Sequence, residues 1–408
     1  MIDLVNGLSA VSGRVKSSVI RDLLKVGSRP DIISFAGGLP DPDTFPVEKI
    51  REMLDKVLKE NARTALQYGD TAGCESLREE IVKMFKEDEN ITIKPENVFP
   101  ISSSQQGLDL VGKLFINPGD DIIMELPTYI GGLQAFQVYG ANMHGIKCDD
   151  DGILTDQLES KLKEFKESGK KCKFVYLVPD FQNPSGVTMS EERRKKVVEL
   201  SKQYNVPIIE DSPYRQTRFE GTAPRMMQSF DHDGNVISLF TFSKILAPGL
   251  RLGYAIAHED VIKKMSTLKQ SMDLCTSALI QLLAAEFLKG NHLRKHIPSI
   301  VKLYKAKRDV MTSCLKKYMP EGVSWTNPSG GLFLFVKLPE YMNSDEMFHE
   351  AIEKKVAYVI GSAFHCDGSG KNTMRFNFSF PTHEQIDEGV KRLAEVIKKN
   401  LKAKANAS

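Results

Sequence analysis

Short β-rich runs alternate with helical patterns through the middle of the chain, and this alternation limits the possible folds most strongly. The run 173–178 (Lys-Phe-Val-Tyr-Leu-Val) is apolar almost throughout, which is typical of a strand covered on both faces. Seven strands are predicted here, at 98–101, 121–126, 142–146, 173–178, 207–210, 236–240 and 253–257. Helical patterns lie among them at 106–115, 130–139, 155–167 and 190–204. The alternation predicts an α/β domain with a mostly parallel sheet.

The pattern changes after the seventh strand. Two long helical patterns, 260–288 and 292–317, are followed by strands at 323–326, 332–337, 356–359 and 374–378 with helices at 344–354 and 382–400. This order is typical of a smaller α+β unit, and 408 residues are enough for two cores. We therefore predict an N-terminal arm with part of the small domain (1–45), a large domain (46–290) and a C-terminal small domain (291–408).

The composition argues against strongly charged partners. The chain has 55 Lys and Arg against 53 Asp and Glu, so neither nucleic acid nor an anionic membrane is expected to bind. The six cysteines lie far apart without a Cys-x-x-Cys pair, so we expect free thiols and no metal site. The sequence has no apolar signal segment near its start and no run long enough to span a bilayer, so a cytoplasmic location is expected.

Polar side chains follow five of the predicted strands. The segments are 102–105 (Ser-Ser-Ser-Gln), 127–129 (Pro-Thr-Tyr), 179–184 (Pro-Asp-Phe-Gln-Asn-Pro), 211–214 (Asp-Ser-Pro-Tyr) and 241–244 (Thr-Phe-Ser-Lys). Each alone is most simply a helix cap or a turn. Because the carboxyl ends of parallel strands meet at one edge, where ligands bind in α/β sheets, together they predict a polar site.

Part of this site suits a phosphate group. Segment 102–105 opens a predicted helix, whose unpaired N–H groups and dipole favour an anion. Ser243 and Arg251 add a hydroxyl and a guanidinium. The segment 368–372 (Gly-Ser-Gly-Lys-Asn) lacks the upstream glycine and the Ser or Thr of a P-loop, and no Gly-x-Gly-x-x-Gly follows a strand. Neither common nucleotide-binding motif is therefore present.

Five short motifs occur in a fixed order along the chain. They are 104–109 (Ser-Gln-Gln-Gly-Leu-Asp), 181–186 (Phe-Gln-Asn-Pro-Ser-Gly), 210–214 (Glu-Asp-Ser-Pro-Tyr), 241–253 (Thr-Phe-Ser-Lys-Ile-Leu-Ala-Pro-Gly-Leu-Arg-Leu-Gly) and 372–378 (Asn-Thr-Met-Arg-Phe-Asn-Phe). In residues and order they resemble class I aminotransferases, which depend on pyridoxal 5'-phosphate (PLP). Segment 34–40 (Ser-Phe-Ala-Gly-Gly-Leu-Pro) resembles the kynurenine/2-aminoadipate branch. The resemblance implies fold type I, with a large PLP-binding domain built on a mostly parallel seven-stranded sheet, a smaller α+β domain, and a homodimer.

The resemblance also implies roles around the cofactor ring. Lys244 would carry PLP as a Schiff base and then move the proton between the substrate Cα and the cofactor. Asp211 would face the pyridine nitrogen and keep it protonated. Tyr214 and Asn183 would hydrogen-bond the phenolic oxygen, and Tyr129 would stack on the ring.

Further roles concern the phosphate and the substrate. The phosphate would be held by Ser103, Ser104, Gln105, Thr241, Ser243 and Arg251, and by Tyr68 of the neighbouring subunit. Arg375 would bind the substrate α-carboxylate, since an arginine in an apolar strand needs an anionic partner if it is buried. Gly38 and Asn183 would line the same place, and Arg21 would reach a distal carboxylate of dicarboxylic substrates.

Two positions depart from the family pattern. Ser103 stands where the family usually has glycine, and Ile360 replaces a proline that is common before Gly-Ser-Ala-Phe. The first predicts a slightly different phosphate loop, and the second predicts a different substrate-side loop.

The leading function is therefore transfer of an amino group between an L-amino acid and a 2-oxo acid by a ping-pong mechanism. Glutamate and 2-oxoglutarate are expected as one substrate pair, with 2-aminoadipate or aromatic and aliphatic amino acids in the other. A PLP-dependent lyase remains an alternative, because one cofactor permits several outcomes. An aminotransferase-like regulator is a third possibility, but it would need a DNA-binding domain, and only some thirty residues precede segment 35–38.

Overall fold

The computed structural model describes residues 7–14 and 29–405. Its strands are β1 Ile33–Ser34, β2 Val98–Ile101, β3 Asp121–Leu126, β4 Asn142–Asp149, β5 Gly152–Ile153, β6 Cys172–Leu177, β7 Ile208–Asp211, β8 Val236–Thr241, β9 Gly253–Ile256, β10 Ser324–Trp325, β11 Phe333–Lys337, β12 Val356–Ala357, β13 Val359–Ile360 and β14 Thr373–Asn377. Its α-helices are α1 Ala10–Arg14, α2 Val47–Ala65, α3 Glu75–Asp88, α4 Ser104–Phe115, α5 Ile130–Val138, α6 Thr155–Glu167, α7 Glu191–Tyr204, α8 Glu259–Gln270, α9 Ala278–Lys289, α10 His292–Tyr318, α11 Ser344–Glu353 and α12 His383–Ala405.

The large sheet has the strand order β2-β9-β8-β7-β6-β3-β4-β5. Pairing is parallel from β8 to β4, whereas β9 runs antiparallel to both of its neighbours. The predicted mostly parallel sheet is confirmed, with eight strands instead of seven. The additional strand, β5, has only two residues and pairs antiparallel with the end of β4, which is too short for a hydrophobic pattern to reveal.

The predicted helix 260–288 is wrong, because two helices, α8 and α9, occupy this range. Between them Leu274 has a positive φ of 65°. The Nζ of Lys269, fully buried at the end of α8, donates to both carboxylate oxygens of Asp273 and to Gln106 Oε1 at 2.7–2.8 Å. A buried ammonium group needs such acceptors, so the chain turns where the pattern alone would continue the helix.

The C-terminal part contains a four-stranded antiparallel sheet of order β10-β11-β14-β13. The predicted strand 356–359 is divided, because β12 pairs in parallel with β1 while β13 pairs with β14. Between them the buried Tyr358 donates its hydroxyl to the carbonyl of Ser344 at 2.6 Å. Through its pairing with β12, the N-terminal strand β1 is attached to the C-terminal part of the chain.

Four large apolar clusters form the interior. One joins Phe35 to α10, α12 and the β11–β14 pair, and the other three surround the large sheet. Helix α10 packs against both parts: Leu293, in its first turn, belongs to a cluster of the large sheet, and Ile300 belongs to the C-terminal cluster. The division into 1–45, 46–290 and 291–408 stays a prediction, to which this packing lends support. Within the described ranges, no helix is long and apolar enough to cross a bilayer.

Candidate active site

A cavity of about 330 Å³ lies at the carboxyl ends of the parallel strands, a volume within the range of small-molecule sites. Its walls include all but two of the predicted site residues, namely Gly38, Ser103, Ser104, Gln105, Tyr129, Asn183, Asp211, Tyr214, Thr241, Ser243, Lys244, Arg251 and Arg375. Tyr68 lies outside it and is 80% exposed. Arg21 lies outside the described residues.

A second and larger cavity, of about 560 Å³, lies between α3, the start of α10 and residues 215–223. Several of its charged groups already pair with one another, as in Arg215–Glu89, Arg294–Asp88 and Lys83–Glu80. None of the five polar segments that follow the predicted strands lines this cavity. Arg215, Gln216 and Arg218, which do line it, come after the segment 211–214. The smaller cavity is therefore the candidate active site.

The loop before α4 forms one end of this cavity. Ser103 precedes the helix with φ 70° and ψ 164°, a combination that is essentially restricted to glycine. Its hydroxyl accepts from Nη2 of Arg251 at 2.7 Å. The loop lies so close to β9 that a Cβ at Gly253 would be 3.0 Å from Cα of Ser103. The serine that replaces the family's glycine thus adopts a backbone conformation suited to glycine.

Two hydroxyls from the end of β8 lie at the same end. The Oγ1 of Thr241 and the Oγ of Ser243 are 2.8 Å apart, and Thr241 Oγ1 also accepts from the N–H of Ser243 at 3.2 Å. Both residues are buried. Together with the guanidinium of Arg251 and the first N–H groups of α4, they can donate to a phosphate dianion.

Lys244 also lines the cavity. Its Nζ donates to the carbonyl oxygen of Gly38 at 2.9 Å. Burial, and then the positive charges of Arg375 and Arg251, lower the pKa of the Lys244 ammonium to about 8. About a tenth of the amine is then neutral at pH 7, far more than for an ordinary lysine, and a nucleophile or base requires this form.

Asp211 is the last residue of β7 and only 1% exposed. Its Oδ2 accepts from the hydroxyl of Tyr176 at 2.9 Å, while its Oδ1 is buried without a partner among the described residues. Burial raises the pKa of this carboxyl to about 7, against the opposing effect of Tyr176. A buried oxygen without a partner calls for a donor from a ligand, and a protonated ring nitrogen fits that need.

Aromatic and amide groups line the space between these ends. A Cβ at Gly131 would be 2.5 Å from the ring of Tyr129, so this glycine makes room for the ring. The Tyr129 hydroxyl donates to Oε1 of Gln105 at 3.4 Å. The buried ring of Tyr214 packs edge-on against Phe333 with centroids 5.8 Å apart. Burial holds the pKa of the Tyr214 phenol well above its usual range, so it is available as a hydrogen-bond donor.

Arg375, in β14, is 3% exposed. Its guanidinium donates to Oδ1 of Asn183 at 2.8 Å and to the carbonyl of Ala36 at 2.7 Å, and it lies 4.2 Å from the ring centre of Phe333. Its Nε has no partner, and no carboxylate pairs with it among the residues that the structure describes. Burial lowers the pKa of Arg375 to about 10. Such a guanidinium is suited to a ligand carboxylate.

Some residues of the site were not predicted. Tyr176 contacts Asp211, and Ala36, Ile130, Val178 and Phe333 line the cavity. The position of Val178 directly after β6 was the one signal that could have found it, whereas the others depend on contacts across the chain. Ile360, the second departure from the family pattern, ends β13 opposite Met374 and leads into the turn Gly361–Phe364.

Comparison with known proteins agrees with this geometry. The family model "Aminotransferase class I and II" matches residues 30–393. The aromatic-amino-acid aminotransferase 1 of Thermococcus litoralis is 48% identical over 95% of this chain and 93% of its own length. The 2-aminoadipate transaminase of Thermus thermophilus is 36% identical over 95% of each chain. The solved structure of Pyrococcus horikoshii kynurenine aminotransferase, in complex with PMP, has a TM-score of 0.95 and 46% identity over 98% of each chain.

These relatives confirm the resemblance to the kynurenine/2-aminoadipate branch and the fold type I architecture. The cavity also meets the needs of the cofactor, with an unpaired carboxylate oxygen at one end, phosphate donors at the other and a lysine of lowered pKa in the same lining. The chain therefore belongs to the class I and II aminotransferases, and it is a PLP-dependent enzyme that moves an amino group between an amino acid and a 2-oxo acid.

Proposed function

We propose that Lys244 is the covalent attachment point and the proton carrier of this transamination. The observation that carries the proposal is its amine of lowered pKa, which lines the same cavity as the unpaired oxygen of Asp211 and the guanidinium of Arg375. When bound, PLP supplies an electron-withdrawing ring that stabilises negative charge on the substrate Cα. The neutral Lys244 amine would take the proton from the substrate Cα and deliver it to the cofactor carbon, which leaves the lysine neutral again.

The other site residues divide into three groups in this proposal. Asp211 keeps the ring nitrogen protonated, and Tyr214 and Asn183 donate to the phenolic oxygen. Tyr129 stacks on the ring face. The phosphate is held by Ser103, Ser104, Gln105, Thr241, Ser243 and Arg251, which lie at one end of the cavity. Arg375 binds the α-carboxylate, and Gly38 lets the substrate approach the backbone there.

Lys244→Ala tests the proposal. We expect loss of turnover, and no mass increase by the cofactor after borohydride reduction, since the amine that bonds the cofactor is gone. Lys264→Ala, an exposed position on α8, is the control and should behave as wild type. A Lys244→Ala enzyme that transaminates near the wild-type rate would contradict the proposal.

The substrate side chain is part of the same proposal. The cavity walls include Ala36 and Phe333, which contact Arg375, and also Ile130; these residues favour an apolar or aromatic side chain. The cationic residues among its lining, Lys244, Arg251 and Arg375, already have roles. We therefore propose aromatic amino acids or 2-aminoadipate in one half-reaction and glutamate with 2-oxoglutarate in the other. The names of the relatives, aromatic-amino-acid aminotransferase and 2-aminoadipate transaminase, support this range.

A distal carboxylate then needs another cation, for which we propose Arg21. Arg21→Ala should raise KM for 2-oxoglutarate and leave KM for pyruvate, which has no distal carboxylate, nearly unchanged. Steady-state kinetics with both acceptors decides the question. Equal effects on both acceptors would mean that Arg21 does not select the substrate.

We also propose that the active form is a homodimer in the cytoplasm. Leu66 and Tyr68 are 71% and 80% exposed, and Gly69 beside them lies near the start of α9. Large exposed side chains of this kind favour a protein interface, and Tyr68 would complete the phosphate site of the second copy. Sedimentation of the active enzyme tests this, and a fully active monomer would contradict it. The free state of all six cysteines supports a reducing compartment.

A further inference from the structure

Tyr176 lies on β6, beside the strand that ends in Asp211. Its hydroxyl is 2.9 Å from Asp211 Oδ2, and neither residue is more than 1% exposed. We propose that Tyr176 is a positioning residue for the reaction, which holds Asp211 as a correctly oriented carboxylate toward the cofactor ring. The proposal rests on the role proposed for Asp211.

Orientation follows from the occupancy of the two oxygens. A carboxylate can rotate about its Cβ–Cγ bond, and in a buried site it turns toward whatever donor is present. Because the phenol occupies Oδ2, the unpaired Oδ1 is the oxygen left for the ring nitrogen. Among the described residues, no other group bonds either oxygen of Asp211. The phenol therefore sets which oxygen is presented.

Charge follows from the same contact. Burial favours the protonated acid, which could no longer accept a hydrogen bond from the protonated ring nitrogen, and the bond from Tyr176 opposes this effect. Two further titratable groups face the Tyr176 phenol, namely Tyr129 and Glu125. Glu125 is itself buried, with its pKa raised to about 8 by burial, so near neutral pH it adds little negative charge.

The ring of Tyr176 is fixed independently of its hydroxyl. A Cβ at Gly132 of α5 would be 2.7 Å from Cε1 of Tyr176, so only glycine leaves room for the ring. One helical turn later, Phe136 packs edge-on against it with centroids 5.3 Å apart. Removal of the hydroxyl alone should therefore leave the ring in place, which makes Tyr176→Phe a clean test.

Tyr176→Phe should raise the pKa of the Asp211 carboxyl in the cofactor-free protein by about one pH unit, since a hydrogen bond to a charged group is lost. The carboxyl infrared band that disappears in Asp211→Asn identifies the group and reports its titration. In the loaded enzyme, kcat should fall about tenfold, with KM for the amino acid nearly unchanged. In the Asp211→Asn background the same substitution should change kcat less than twofold.

The control is Tyr358→Phe, another fully buried phenol, which donates to the carbonyl of Ser344 in the C-terminal part of the chain. This substitution should leave the pKa of the Asp211 carboxyl unchanged even if it destabilises the protein. An unchanged Asp211 titration in Tyr176→Phe would overturn the proposal. Near wild-type activity in Asp211→Asn would instead overturn the role of Asp211 itself, so the two failures are distinguishable.

Discussion

The two ends of the cofactor cavity are built in different ways. At one end a single carboxylate, Asp211, emerges from the sheet interior with one protein partner and one unpaired oxygen. At the other end the donors come from separate loops and bond one another, as Arg251 does with Ser103 and Thr241 with Ser243. The first end depends on one buried carboxyl group, and the second shares one task among several groups.

This difference predicts unequal sensitivity to substitution. When a buried ionised group is removed, neither a neighbouring side chain nor water can take over its charge. A phosphate held by many donors loses only one contact when one donor is removed, and each such contact contributes about 1–3 kcal/mol. Catalysis should therefore depend steeply on the Asp211 end, while cofactor affinity should depend gradually on the phosphate end.

Asp211→Asn should have the largest effect. The amide cannot keep the ring nitrogen protonated, so we expect kcat to fall about a hundredfold or more, about 2.7 kcal/mol of barrier. Cofactor affinity should change little, because the phosphate end is intact. Steady-state kinetics and equilibrium binding measure the two quantities, with the exposed Asp156→Asn as control. A loss of kcat of less than tenfold would mean that catalysis does not depend more steeply on Asp211 than on the phosphate donors.

Arg251→Gln should act mainly on binding. It removes a charged donor next to Ser103, which should raise the Kd for PLP about tenfold, while kcat at saturating cofactor falls less than threefold. Arg225→Gln, whose guanidinium pairs with Glu191 at the surface, is the matched control. If the fold decrease in kcat exceeded the fold increase in Kd, the phosphate donors would also contribute to the chemical step.

The pKa of Lys244, a third lining residue of the cavity, depends on burial and on the cations Arg375 and Arg251. Because its pKa is lowered to about 8, the neutral fraction rises as pH increases through about 8, roughly two units below an ordinary lysine. Carbamylation of Lys244 by cyanate in the cofactor-free enzyme, read by peptide mass spectrometry, should show this midpoint. Arg251→Gln should move the midpoint upward by a fraction of a unit. A midpoint near 10 would show that burial and neighbouring charge do not act on this amine.

Ser103 should give the smallest effect and the finest test of the phosphate end. Ser103→Gly relieves a strained backbone, whereas Ser103→Ala keeps the strain, and both lose the bond from Arg251. The free energy of unfolding of the glycine variant should therefore be about 1 kcal/mol higher than that of the alanine variant. Denaturant titration of the two variants checks this. Equal stability would mean that the loop relaxes without strain.

The sequence by itself determined the large sheet and most of the site. Apolar runs such as 173–178 record burial on both faces, and the residues after each strand must meet at one edge of a parallel sheet. The order of the strands and motifs along the chain is therefore enough to assign Lys244, Asp211 and Arg251 to one site. These signals are local, because side-chain direction repeats along each strand and motif residues have fixed spacing.

Tertiary structure alone decided the features that depend on distant partners. The helical pattern 260–288 is interrupted where Lys269 turns to Asp273 and Gln106, and the strand 356–359 is shared between two sheets. Tyr176 and Asp211 are 35 residues apart, yet their hydrogen bond decides which carboxylate oxygen stays unpaired. Periodicity reports which face of an element is buried but not which group it meets there, so a buried pair of this kind becomes visible only when the strands are packed.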